Sequence, residues 1–131
     1  MSDARAQLQR HAETINDRDL EAYRSTMNYP FTYQNYNGVA LTIAKADEVG
    51  TTISPPWEII LQTDPDWLHT VFDQIDELAR SPSSVVFKVQ FRRVDKAGAH
   101  SSSYQAIWIL TCQNGHWGVQ FRHNLGQTPQ T

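Results

Sequence analysis

The chain has very little cysteine: one in 131 residues, Cys112, so no disulfide can form within it. That residue ends the apolar run "AIWILTC", which marks it as a packed side chain rather than a nucleophile. No apolar run approaches the length of a membrane span, and the opening "MSDARAQLQRHAETIND" is too polar for a signal peptide. We therefore expect a cytoplasmic protein with no membrane partner. The motifs HExxH and CxxC do not occur, nor does a His/Asp cluster at ligand spacing, so no metal is expected. GxGxxG and GxSxG are missing too, which removes support for a dinucleotide cofactor or a hydrolase elbow. No cofactor is expected. Charge of one sign is also scarce: the net value is −3, and Lys and Arg are scattered rather than gathered into a stripe among aromatics. Nucleic acid is not the expected partner.

What the chain does have is apolar and aromatic bulk: 40% hydrophobic residues, with four Trp, five Tyr and five Phe. This supports one globular domain over 1–126, followed by a polar tail at 127–131. Ala4, Leu8, Ala12 and Ile15 recur at helical spacing over 3–15, with Ser2 as a possible N-cap. A short helix over 19–26 presents Leu20, Tyr23 and Met27 on one side. Strands over 31–36 and 39–43 flank Asn37-Gly38, a strong hairpin signal. A short helix is expected at 44–49, then a loop broken by Pro55-Pro56. The stretch "TDPDWLHTVFDQIDELARS" predicts a long helix: Thr63 or Asp64 as cap, Pro65 in the first turn, and a stripe of Leu68, Val71, Phe72, Ile75, Leu78 and Ala79. Three strands follow in "SVVFKVQFRRV", "SYQAIWILTC" and "HWGVQFRHN". The order predicts an α+β domain with an antiparallel sheet curled over helices. In "AIWIL" both faces of the strand are apolar, so a second sheet should cover the outer one. A homodimer packed through that outer sheet face follows.

In this order the segments "INDRDLEAYRSTM", "YPFTY", "DWLHTVFDQIDEL" and "FKVQFRRVDKAG…YQAIWILTCQNGHWGVQFR" resemble the nuclear transport factor 2-like superfamily, with its SnoaL-like and ketosteroid isomerase-like members. The resemblance covers nearly the whole chain. It implies a cystatin-like cone: a curved, mixed, mainly antiparallel sheet wrapped around three helices from the N-terminal half, with a central pocket. It also implies that the last strand lies inside the sheet. Ketosteroid isomerases use a Tyr on the first helix, an Asp base on the first strand and an assisting Asp on a later strand. Laid over this chain, those positions fall on His11, Asn35 and about Ile107. An amide cannot serve as a general base at neutral pH, so the isomerase mechanism does not carry over.

The candidate groups follow from these readings. His69 and Asp73 are four apart on the expected helix and could form a base with its orienter, or a boundary histidine beside a solvated face. His11 gains its candidacy from the resemblance. Tyr33, Asn35, Trp57, Trp67 and Tyr104, with Tyr29, are the candidates for pocket walls or for ordinary core. In "HWGVQFRHN", simple alternation puts Trp117, Val119 and Phe121 on the helices and leaves Gln120 and Arg122 outside. The resemblance instead turns Gln120, Arg122 and Asn124 into the pocket and gives Trp117, Val119 and Phe121 to the outer face. The expected ligand is a small hydrophobic molecule carrying a carbonyl or carboxylate, held by Arg122 and Gln120. Three functions stand beside one another: a binding domain, a cofactor-independent isomerase, dehydratase or cyclase with His69 or His11 as base, and a structural dimer with a filled cone.

Overall fold

The computed structural model describes residues 3–129. Helix α1 runs from Asp3 to Asp17 and buries Ala4, Leu8, His11, Ala12 and Ile15, the face marked by the helical spacing. Its expected cap, Ser2, lies outside the described residues. Helix α2, Leu20–Ser25, is capped by Asp19, whose carboxylate accepts from the Ala22 N–H at 3.2 Å. Tyr23 on α2 and Met27 just after it are turned into the core.

Strand β1 (Met27–Asn35) returns through Asn37 and Gly38, the latter at φ 91°, into β2 (Ala40–Ile43). A positive φ at that turn is available to glycine without steric cost. In place of the helix expected at 44–49 there is one 3-10 turn, Ala46–Glu48. Strands β3 (Trp67–Arg80), β4 (Ser84–Asp95), β5 (Tyr104–Gln113) and β6 (His116–Gln127) complete a sheet in the order β2-β1-β6-β5-β4-β3. The sheet is mixed because β1 and β6 run parallel, and β6 lies inside it. Since β6 reaches Gln127 and the Thr128 N–H donates to the Ser103 carbonyl at 2.9 Å, the ordered fold passes the expected boundary at 126. Helix α1 packs on β3, β5 and β6, and Leu8, Phe31, Trp67, Phe87, Leu110 and Val119 are wholly enclosed in the core. Among the described residues no helix is long and apolar enough to cross a membrane.

The long helix expected over 63–79 is corrected: Trp67–Arg80 is strand, and the third helix is α3, Pro56–Thr63. Pro56 does not break the chain but occupies the first turn of α3, where a missing N–H costs nothing. Pro65 biases Asp64 away from helix and so ends α3 rather than opening a helix of its own. Strand β3 imitates a helix because its register against β4 shifts three times, leaving Leu68, Asp73 and Leu78 each without a partner. The residues on the inner face are then Trp67, Thr70, Phe72 and Ile75, at intervals of three and two. Those intervals resemble a helical period more than a strand's.

A further register shift, where Ile109 pairs with Phe121 but Leu110 with Val119, reverses the alternation of β6. Trp117 and Val119 face inward before it, and Arg122 and Asn124 face inward after it. Each of the two expected orientations therefore describes only part of the strand.

Candidate functional site

Between the sheet and the helices the side chains leave a cavity of about 480 Å³. The premise of a filled cone is therefore not met. Strand β1 contributes Phe31, Tyr33 and Asn35, β5 contributes Tyr104, Ala106 and Trp108, and β6 contributes Arg122 and Asn124. Alternation along each strand puts these on one face. Tyr36, Val39 and Ile59, exposed at 62%, 51% and 40%, also line the cavity and place its mouth between the β1–β2 turn and α3. Among the described residues, the charged side chains on its wall are Arg93 and Arg122, with no Asp, Glu or His.

Arg122 is 9% exposed and forms the inner end. Its guanidinium donates to His11 Nε2 at 3.1 Å and to the Tyr23 hydroxyl at 3.0 Å. Four rings surround it, those of Phe31, Tyr33, Tyr23 and Trp108, with centroids 5.1, 5.5, 5.8 and 5.9 Å from Cζ. The Thr26 hydroxyl donates to the Tyr23 carbonyl at 2.7 Å, so it accepts from His11 Nδ1 at 2.8 Å. These partners assign the tautomer: His11 carries its proton on Nδ1 and offers the Nε2 lone pair to Arg122. Complete burial, reinforced by the neighbouring Arg122 charge, holds the His11 pKa well below its ordinary value. His11 is thus a neutral acceptor that positions an arginine. Burial also raises the Tyr23 pKa, keeping that hydroxyl a donor.

The remaining candidates separate. Tyr33, Asn35, Tyr104 and Arg122 meet at the cavity. Gln120 does not line it: the β6 register shift leaves its amide oxygen accepting from the Thr111 hydroxyl at 2.7 Å and its nitrogen donating to the Pro30 carbonyl at 3.0 Å. Trp67 is fully enclosed under α1, with its indole N–H on the Thr70 hydroxyl at 3.1 Å. Trp57 buttresses Tyr23 edge-on, 5.6 Å between ring centroids, and is likewise absent from the wall. Ile107, the position of the assisting carboxylate, lies on the opposite sheet face from Ala106 and Trp108. The His69–Asp73 pair is also corrected. On a strand, residues four apart are separated by about 13 Å, and Asp73 is held instead by Arg92 through bonds of 2.8 and 2.7 Å.

The Arg122 partners Tyr23 and His11 come from separate helices, and no spacing in the sequence joins them to β6. Tyr23 was visible only as part of an apolar helix face. Trp108 was readable as a buried strand residue, without any sign that a cation sits over it.

A mixed six-stranded sheet closed over three helices, with a cavity at its centre, is the cystatin-like, nuclear transport factor 2-like fold. Solved structures of that type superpose on nearly the whole chain. A cystatin-like protein of unknown function from Nostoc punctiforme matches with a TM-score of 0.70 at 13% identity, covering 93% of this chain and 86% of its own. A ketosteroid isomerase-like protein from Erwinia carotovora atroseptica gives 0.68 at 16%, covering 98% and 96%. A nuclear transport factor 2-like protein of unknown function from Shewanella oneidensis gives 0.67 at 16%, covering 94% and 96%. No protein-family model matches the sequence, and no curated protein matches it either. At these identities the likeness shows the fold alone.

Proposed function

We propose that this protein binds a small organic molecule inside the cone and does not act on it by proton transfer. The observation that carries this is the composition of the cavity: about 480 Å³, with mainly aromatic and aliphatic walls, a few amides, hydroxyls and two arginines, and no carboxylate or histidine among the described lining residues. The volume lies in the range of ligand pockets. A proton-transfer enzyme needs a base within reach of its substrate, and a histidine beside a carboxylate would have supplied one. Here His69 and Asp73 stand apart, His11 lies behind Arg122, and Asn35 cannot accept a proton. The reading includes a cytoplasmic location and a homodimer packed through the outer sheet face, where Val86, Ile109 and Phe121 form a partly exposed row across three strands.

The test is titration with Nile red, a neutral apolar dye. Saturable binding with a rise in fluorescence is expected. Ala106→Trp, which fills the cavity from β5, should abolish it while the thermal unfolding transition remains cooperative. No saturable binding, or equal binding by Ala106→Trp, would overturn the proposal.

A further inference from the structure

We infer that the cavity takes an amphipathic carboxylate, inserted head first, with its anionic group on Arg122 and Tyr23 and its apolar body reaching back to the rim. This rests on the binding function proposed above and names the ligand class.

The first observation is a charge without a counter-charge. Arg122 is nine-tenths buried, yet both of its hydrogen-bond partners, His11 and Tyr23, are neutral, and among the described residues no acid lies on the cavity wall. A guanidinium has five N–H donors. Two are engaged by protein acceptors, and Nε is buried with no partner among the described residues. Ring faces attract a cation, but they do not supply the acceptor lone pairs that its remaining N–H groups require. A ligand carboxylate supplies both charge and acceptors in the planar, two-oxygen geometry that matches this fork. The Tyr23 hydroxyl accepts from Arg122, which leaves its own hydrogen free to donate to the same carboxylate.

The second observation is direction. The cation lies at the closed end among Phe31, Tyr33 and Trp108, while the mouth is bordered by the exposed Tyr36, Val39 and Ile59 together with the polar Asn37, Gln62 and Thr63. An anionic head at the closed end therefore leaves an apolar body against the wall formed by Leu41, Ile60, Phe72 and Phe91. The other cavity cation, Arg93, also has a buried Nε without a partner among the described residues and lies over the Tyr104 ring, but it is more exposed than Arg122 and also borders a shallow depression shared with Asp64 and Asp95. A single guanidinium at the closed end matches a monoanion better than a phosphate dianion, whose second charge and extra oxygens would go unmatched there.

The test is calorimetric titration of the full chain with three probes sharing one apolar body: phenylhexanoate, phenylhexanol and phenylhexyl phosphate. The acid should bind at least about tenfold more tightly than the alcohol, the scale of one charge-assisted contact, and more tightly than the phosphate. Arg122→Met should remove the acid's advantage over the alcohol, whereas Arg93→Met should leave the preference in place. If Arg122→Met does not fold, Tyr23→Phe serves: it should weaken the acid several-fold and by more than the alcohol, narrowing the preference. Equal binding of acid and alcohol, tighter binding of the phosphate, or loss of the preference in Arg93→Met alone would overturn the inference. If Nile red binds and Ala106→Trp blocks it, the binding function survives that result; if Nile red does not bind, both readings fail.

Discussion

A neutral histidine pressed against a buried arginine makes stability depend on pH. In the fold His11 faces Arg122 from β6 and Tyr23 from α2, with the uncharged Trp108 ring edge-on at 5.3 Å. Its lowered pKa means that the unfolded chain takes up a proton below about pH 6.5 while the native chain does not. The contribution is fully present above that pH and is lost as pH falls toward the lower native value, by up to about 1.4 kcal/mol per pH unit. Denaturant titrations between pH 7 and 5 should show the loss, and His11→Gln should flatten it. Asp73 and Glu77 are hydrogen-bonded by Arg92 and Arg80 and held below their ordinary values, so their contributions disappear only at more acidic pH. Gly118 makes a different residue-level demand. A Cβ there would sit 2.6 Å from the Met27 carbonyl carbon and 2.8 Å from the Asn28 nitrogen, both backbone atoms. Gly118→Ala must push β6 away from the start of β1, and a loss of about 1–3 kcal/mol in chemical denaturation is expected. The sequence could place Gly118 in a strand but not beside β1, because that closeness arises from a parallel pairing between segments far apart in the chain.

At the level of elements, α1, the hairpin and strands β4 and β5 were legible because their periods are uninterrupted or their turns carry Asn-Gly, whereas β6 was legible as a strand but not in its facing, which a register shift reverses. Strand β3 was not. Leu68, Asp73 and Leu78 are extra residues at successive register shifts, and a pattern reader who assumes one period assigns the leucines to a helix stripe. The two architectures make opposite claims about those leucines, which are 48% and 55% exposed in the strand. Leu68→Ser and Leu78→Ser should each change stability by no more than about 0.5 kcal/mol. Phe72→Ala, which removes a ring packed 5.9 Å from Phe91 and 5.5 Å from Trp108, should cost at least about 2 kcal/mol. Urea titration of the three variants separates strand from helix, because a helix with the expected stripe would lose stability at all three positions.

For the whole molecule, element order led to an antiparallel sheet over helices and the resemblance led to the cone, but the helix expected over 63–79 took the place of edge strand β3 and left the expected sheet one strand short. The inner end of the cavity could not be inferred from either, because it joins α1, α2 and β6 around one guanidinium. The doubly apolar strand β5 leaves a consequence that concerns two molecules. Its inner residues Ala106, Trp108 and Leu110 are buried, while Ile107 and Ile109 on the other face remain partly exposed in the single chain. Val86 pairs with Ile109, and Ile109 with Phe121, so an apolar row crosses β4, β5 and β6 at the centre of the sheet. In the proposed homodimer a second copy covers this row. Sedimentation should then give twice the 15.0 kDa chain mass. Ile109→Glu, a charge opposite its own symmetry mate or close to it, should return the protein to a monomer with its Nile red site intact, because Ile109 does not reach the cavity. A monomer in the unsubstituted protein, or a dimer untouched by Ile109→Glu, would place the contact elsewhere or remove it.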